Sequence, residues 1–175
     1  VFMQGGSTLP LHMKAEGISN LDYGLLISIN GILIVLFQLP VSHSLLRFNP
    51  MSMMIIGGAL IAVGFGINAF AAGWILFGVS IVVWSCGEIV QAPFNNAIVT
   101  DMAPPELRAR YMGPFSMCFS AAMMIGAPLG GLVFEHYGPR ILWLSSGGIG
   151  LVAVVLFASI HTRVTVRCEA NSKAE

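Results

Sequence analysis

Charge is what this chain has least of. Only 9% of its 175 residues are Asp, Glu, Lys or Arg, eight of each sign, so the formal net charge is zero. There is no basic surface to follow a phosphate backbone and no acidic tail to recruit basic partners, which excludes nucleic acid. Cysteine is almost as scarce. Cys86 and Cys118 stand in apolar runs and Cys168 in a polar segment, with no CxxC pair, so neither a disulfide framework nor a metal site is indicated and no cofactor is implied. Catalytic signatures are missing too: there is no HExxH, GxSxG or P-loop, and no second carboxylate lies in the apolar run that holds Glu88. A membrane enzyme would need a further titratable group beside Glu88, and the sequence supplies none.

What is abundant is apolar surface. Hydrophobic residues make up 56% of the chain and its mean hydropathy is +0.83, well above what a water-soluble domain of this size needs. A spanning helix uses about 20 apolar residues, so the chain has room for roughly five or six spans. Charges punctuate them, because each one at the bilayer centre costs roughly 3 kcal/mol on insertion scales. The gaps between charges, with the turn residues Asn49-Pro50 and Ala71-Ala72-Gly73, place spans at 23–46, 51–71, 74–100, 111–134 and 141–160. A partial helix at 1–13 precedes them. Val1 already lies in an apolar stretch without a basic leader, which reads as a fragment starting inside a helix. Residues 162–175 read as a polar, poorly ordered tail. The runs are continuous rather than alternating, which makes the fold an all-α membrane bundle and not a barrel. Arg47, Arg108, Arg110, Arg163, Arg167 and Lys173 fall on one side of this topology, and Lys14 and Arg140 on the other. The excess of positive charge places the tail in the cytoplasm.

Glu88 is the one charge well inside a span. Helical spacing puts Trp84, Glu88, Gln91 and Asn95 on one face, which has to meet protein or water. Two readings fit Glu88: a carboxylate that exchanges protons in a solvated cavity, and a structural partner hydrogen-bonded to neighbouring helices. Weaker polar stripes occur at Gln4 and Thr8, at Tyr23, Asn30 and Gln38, and at Ser116 and Ser120. Each is either part of a cavity wall or an interhelical hydrogen bond. Phe37, Phe94, Phe115 and Phe119 either line a drug-sized pocket or belong to core and lipid-facing surface. Gly126-Ala127-Pro128-Leu129-Gly130-Gly131 combines a small-xxx-small pair with a proline, predicting close packing and a kink. His12, His43, His136 and His161 stand near span ends and read as interface residues.

These features resemble the major facilitator superfamily. The likeness rests on Ser7-Thr8-Leu9-Pro10-Leu11, on Tyr23-Gly24-Leu25-Leu26 with Asn30-Gly31, and on Gly87-Glu88 followed by Pro93. It also rests on the loop Ala103-Pro104-Pro105-Glu106-Leu107-Arg108-Ala109-Arg110-Tyr111-Met112-Gly113 and the Gly126-to-Gly131 kink. The match covers nearly the whole chain and is closest to bacterial proton-coupled drug-efflux members. The resemblance implies the C-terminal six-helix half of a twelve-helix fold: the end of helix seven, then helices eight to twelve. It gives Arg108 and Arg110 a gating role and Gly126, Pro128 and Gly130 a packing one. Two departures stand out. The acidic-Arg-x-Gly-Arg pattern usual between helices eight and nine is replaced by 42–50, with only His43 and Arg47, and Ala109 stands where Gly is usual.

The expected function follows: part of a secondary transporter in a bacterial inner membrane that moves small organic solutes by alternating access. Its partners are the substrate, protons, the lipid bilayer and a missing N-terminal half. Glu88 is the proton-coupling candidate, and Gln4, Thr8, Asn30, Gln38, Trp84, Gln91 and Asn95 are the cavity-lining candidates. Efflux of amphipathic compounds fits Glu88 and the kink. Proton-driven uptake or facilitated transport of a metabolite fits the same stripes, and a scaffold subunit without transport fits the small-residue packing alone.

Overall fold

The structure is a computed structural model that describes residues 1–172, without the side chains of Pro105, Arg163 and 165–172. Lys173, counted above for orientation, lies outside the described residues, as do the side chains of Arg163 and Arg167. Every regular element among the described residues is helical: α1 (Gln4–Ser7), α2 (Leu9–Ala15), α3 (Asn20–Leu45), α4 (Pro50–Ile67), α5 (Trp74–Met102) and α6 (Arg108–Ser172). Single 3-10 turns at Asn68–Phe70 and Pro105–Leu107 precede α5 and α6.

Local chemistry sets the ends. Ser19 and Asp22 form a reciprocal capping box at the start of α3. Asn49 accepts from the backbone of Met51 and Ser52 ahead of Pro50, whose missing N–H costs nothing in the first turn. Gly73 and Gly138 both take φ of +81°, a conformation a side chain resists. At Gly138 the backbone leaves the helix inside α6. That break is needed: the apolar 55 residues Arg108–Thr162 would reach about 80 Å as one straight helix, far beyond a hydrocarbon core of about 30 Å.

Side-chain pairings give the direction of each segment. Gly64 meets Ser80 while Gly57 meets Gly87, so α4 and α5 are antiparallel. Leu26 meets Gly78 and Asn30 meets Ser85, so α3 runs parallel to α5. Gly5 approaches Trp84 and His12 meets Phe77, so α1 and α2 oppose α5. Gln4 touches Gly126 and His12 touches Phe134, so 108–137 runs with α1 and α2. Beyond Gly138, Ala62 meets Gly150 and Ser52 meets His161, so 139–172 opposes α4. Successive segments therefore alternate in direction. Lys14 and Arg140 end up at one end of the bundle, and Arg47, Arg108 and Arg110 at the other.

The core is where α1 and α2 meet α4, α5 and 139–172. Met13, Phe65, Phe77, Ile81 and Trp143 are buried there, with the Phe65 ring stacked between Trp84 and Trp143. The outside is greasier than a water-soluble protein tolerates: Val35, Leu39, Met117 and Met124 are each more than 70% exposed. Four helices are long and apolar enough to cross a membrane, and in lipid those side chains face their natural solvent.

Two expectations are corrected. The chain does not leave helical structure at Arg163; α6 continues to Ser172, because charge ends the apolar span without ending the hydrogen-bonding that propagates a helix. His12 is no interface residue. It is buried, its Nδ1 accepts from the Trp143 indole at 2.9 Å, and its ring packs against Phe77 and Phe134.

Candidate functional site

α5 carries its polar groups on two adjoining faces. Ser80, Trp84, Gly87 and Gln91 follow helical spacing toward α4: the Ser80 hydroxyl donates to the Gly64 carbonyl at 2.8 Å, and a Cβ added at Gly57 would lie 2.8 Å from both the Gly87 oxygen and the Gln91 Cβ. Gly78, Ser85 and Glu88 turn toward α3. The single face expected for Trp84, Glu88, Gln91 and Asn95 is therefore shared between two neighbours, with Asn95 half-buried a turn beyond Gln91.

Glu88 is half-buried and meets α3 through Asn30, whose Nδ2 donates to the carboxylate Oε2 at 3.1 Å and to the Ser85 hydroxyl at 2.9 Å. Ser85, fully buried, donates in turn to the Ile81 carbonyl at 2.6 Å. Lower on α3, Gln38 Nε2 donates to the Ser42 hydroxyl and, at 3.4 Å, to the Ile89 carbonyl. Asn30 and Gln38 thus tie α3 to α5 at two levels. Such an arrangement can hold a carboxylate charge inside an apolar bundle, because a hydrogen bond to a charged acceptor is stronger than one between neutral groups.

A second cluster joins residues that the sequence kept apart. Gln4 is 4% exposed; its Oε1 accepts from Thr8 at 2.9 Å and its Nε2 donates to the Gly126 carbonyl at 2.7 Å. A side chain at Gly130 would collide with the Gln4 amide, so the glycine pair forms the seat for Gln4. Pro128 is exposed beside it and removes a helical donor. The Tyr23 hydroxyl donates to the Gly5 carbonyl at 3.2 Å, fixing the same segment to α3. Trp84 links the two clusters. It lies one turn before Glu88, stacks on Phe65 at 5.5 Å, takes Phe2 edge-on at 6.4 Å, and buries an indole N–H that meets no acceptor among the described residues.

The aromatic candidates disperse. Phe94 is core, packed with Met53 and Met54, whereas Phe37 and Phe119 are exposed and Phe115 half-buried. Ser116 and Ser120 are exposed on the same outward arm. Arg108 and Arg110 open α6, the first half-buried and the second exposed. Sequence reasoning passed over Ser85 and the close-packing glycines Gly57 and Gly64, and took Gly87 only as part of a motif with Glu88, not as a packing contact. Gly57 and Gly64 had a readable signal, since two glycines seven apart share a helix face.

The Major Facilitator Superfamily model matches residues 3–173. Among curated proteins, the chain is 29% identical over 175 residues to the uncharacterized MFS-type transporter YttB of Bacillus subtilis (strain 168), covering 99% of this chain and 44% of that protein. The uncharacterized MFS-type transporter YqjV of the same organism is 23% identical over 169 residues, 93% of this chain and 41% of the relative. The multidrug resistance protein MdtH of Proteus mirabilis (strain HI4320) is 30% identical over 109 residues, 62% of this chain and 27% of the relative. The chain thus spans less than half the length of these relatives. With apolar helices of spanning length, polar groups turned inward and a match over nearly its whole length, it belongs to the Major Facilitator Superfamily, a family of membrane transporters rather than enzymes.

Proposed function

We propose that the chain is the C-terminal six-helix half of a twelve-helix secondary transporter that exports small amphipathic compounds in exchange for protons. Glu88 is its coupling group. The observation that carries this reading is the carboxylate's place: the only charge well inside α5, half-buried and held from α3 by Asn30. An ionisable group at such depth is costly and calls for a function. Drug export draws support from the similarity over 109 residues to MdtH, a multidrug resistance protein. The Gln4 seat on Gly126 and Gly130 supports alternating access, since small residues beside a proline let the two segments approach closely where the helix can bend.

The test is solute flux in proteoliposomes. Full-length protein should concentrate an amphipathic dye when a pH gradient is imposed and only equilibrate it without one. The 175-residue chain alone should show no saturable flux, because its polar faces lack the partner bundle and unsatisfied groups in lipid cost several kcal/mol each. Saturable transport by this chain alone would overturn the half-transporter reading. Orientation has its own test. With other cysteines replaced, Cys168 should resist an impermeant thiol reagent added outside intact cells and react once the membrane is opened. Labelling from outside would reverse the proposed topology.

A further inference from the structure

Asn30 has two amide hydrogens, and both are engaged: one on the Ser85 hydroxyl and one on Glu88 Oε2. Ser85 is itself anchored, because its own hydrogen goes to the Ile81 carbonyl on the same helix. The order of donors therefore fixes which way the Asn30 side chain faces. Its NH2 points at α5, and its carbonyl cannot turn toward Glu88 without leaving Ser85. This is a donor arrangement suited to an acceptor-only carboxylate; a protonated carboxyl carries a donor of its own and is a weaker acceptor.

We propose that Asn30 is the positioning residue for Glu88: pinned by Ser85, it holds the charged carboxylate against α3, so that protonation of Glu88 loosens α3 from α5. The proposal rests on the coupling role of Glu88 and adds the element that senses it. Asn30 then touches no substrate, in contrast to the cavity-lining role its polar stripe suggests.

Little else charged bears on the carboxylate. On α4, packed against the other side of α5, there is no titratable side chain at all. On α3, Asp22 and His43 sit near the two ends, and the Tyr23 hydroxyl is turned to the Gly5 carbonyl. His12 on α2 faces Phe77, Phe134 and Trp143. On α6, Arg108, Arg110, Glu135 and Arg140 lie near the ends of its two arms. Asn30 is the one side chain shown donating to Glu88 among the described residues. When protonation weakens that bond, the ties that remain between α3 and α5 are the Asn30–Ser85 bond, the long Gln38 contact with Ile89 and apolar packing.

The experiment is the pH profile of gradient-driven flux in the full-length transporter with Asn30→Ala, alone and combined with Glu88→Gln. Loss of a donor to the charged form should displace the midpoint of the profile by about one unit toward alkaline pH. Asn30→Gln, which keeps the NH2 group, should recover part of the displacement. In the Glu88→Gln background, where gradient-driven flux is expected to be lost, the readout is downhill exchange, whose pH profile Asn30→Ala should leave unchanged. If Asn30→Ala does not accumulate as folded protein, Asn30→Leu, close in volume and lacking donors, replaces it. A variant whose flux falls equally at every pH, with the midpoint where it was, shows Asn30 to be a packing residue and overturns the inference. That result leaves the coupling role of Glu88 standing, provided Glu88→Gln abolishes gradient-driven flux. If Glu88→Gln keeps it, the coupling role fails and this inference falls with it.

Discussion

Replacing Glu88 by Gln in the full-length transporter is expected to reduce proton-driven accumulation or extrusion to the level of protein-free vesicles. Folding and downhill exchange should survive. The substitution is chosen for what it keeps. The Gln side chain matches Glu in size, and its amide oxygen can still accept from Asn30 Nδ2, which reaches Glu88 at 3.1 Å. The apolar packing of α3 on α5 is kept, while the bond from Asn30 weakens as it does when the Glu88 carboxyl is protonated, so the variant stands in for the protonated state. What the variant loses is the exchangeable proton, and without it the site presents the same uncharged face to both sides of the membrane. An imposed pH gradient then has no differential interaction with the two conformations and cannot bias them. Uphill transport with a wild-type pH profile would refute the coupling role and leave Glu88 as a structural hydrogen-bond partner. Loss of folded protein would point the same way, and monodispersity in detergent separates that outcome from loss of coupling.

The sequence shows the cost of charge more clearly than it shows contact. Uncharged runs of more than twenty residues announce helices in lipid because few alternatives satisfy the backbone there, and Glu88 is conspicuous for being expensive. Its partner is not conspicuous. Asn30 and Glu88 stand 58 positions apart, and periodicity says which face of a helix a residue occupies without saying which helix lies opposite. The same limit split the Trp84-to-Asn95 stripe, since a face about 100° wide can border two neighbours at once. Gln4 and the Gly126–Gly130 pair were each legible as unusual, yet only the fold seats one on the other. His12 misled for a different reason. Beside Lys14 and Glu16 it looks like the edge of a span, whereas Trp143, 131 residues away, supplies the donor that lets it be buried. The end of α6 shows the reverse confusion. Arg163 marks where apolar residues stop, while the helix continues to Ser172 under its own backbone bonding.

The second large effect is expected at the α4–α5 contact, and two glycines a short distance apart supply their own control. At Gly64 an added Cβ would lie 2.6 Å from both the Cβ and the backbone nitrogen of Trp84, and 2.9 Å from its Cα. Backbone atoms cannot rotate away as the end of a side chain can, so Gly64→Ala has to push the two helices apart. Overpacking of this kind costs about 1–3 kcal/mol. The separation would also stretch the 2.8 Å bond from Ser80 to the Gly64 carbonyl. At Gly66 an added Cβ meets nothing within 4 Å. Gly66→Ala should therefore be neutral or stabilising by up to about 1 kcal/mol, since alanine is the better helix former. The midpoint of thermal unfolding of the full-length protein in detergent, followed by loss of the monodisperse peak, should fall for Gly64→Ala and hold or rise for Gly66→Ala. Equal behaviour of the two variants would refute the close approach of α4 and α5. The functional consequence is separable from stability. Trp84 is one helical turn from Glu88, so a displaced α5 moves the carboxylate relative to Asn30, and Gly64→Ala that still folds should distort the pH profile of transport where Gly66→Ala leaves it as it was.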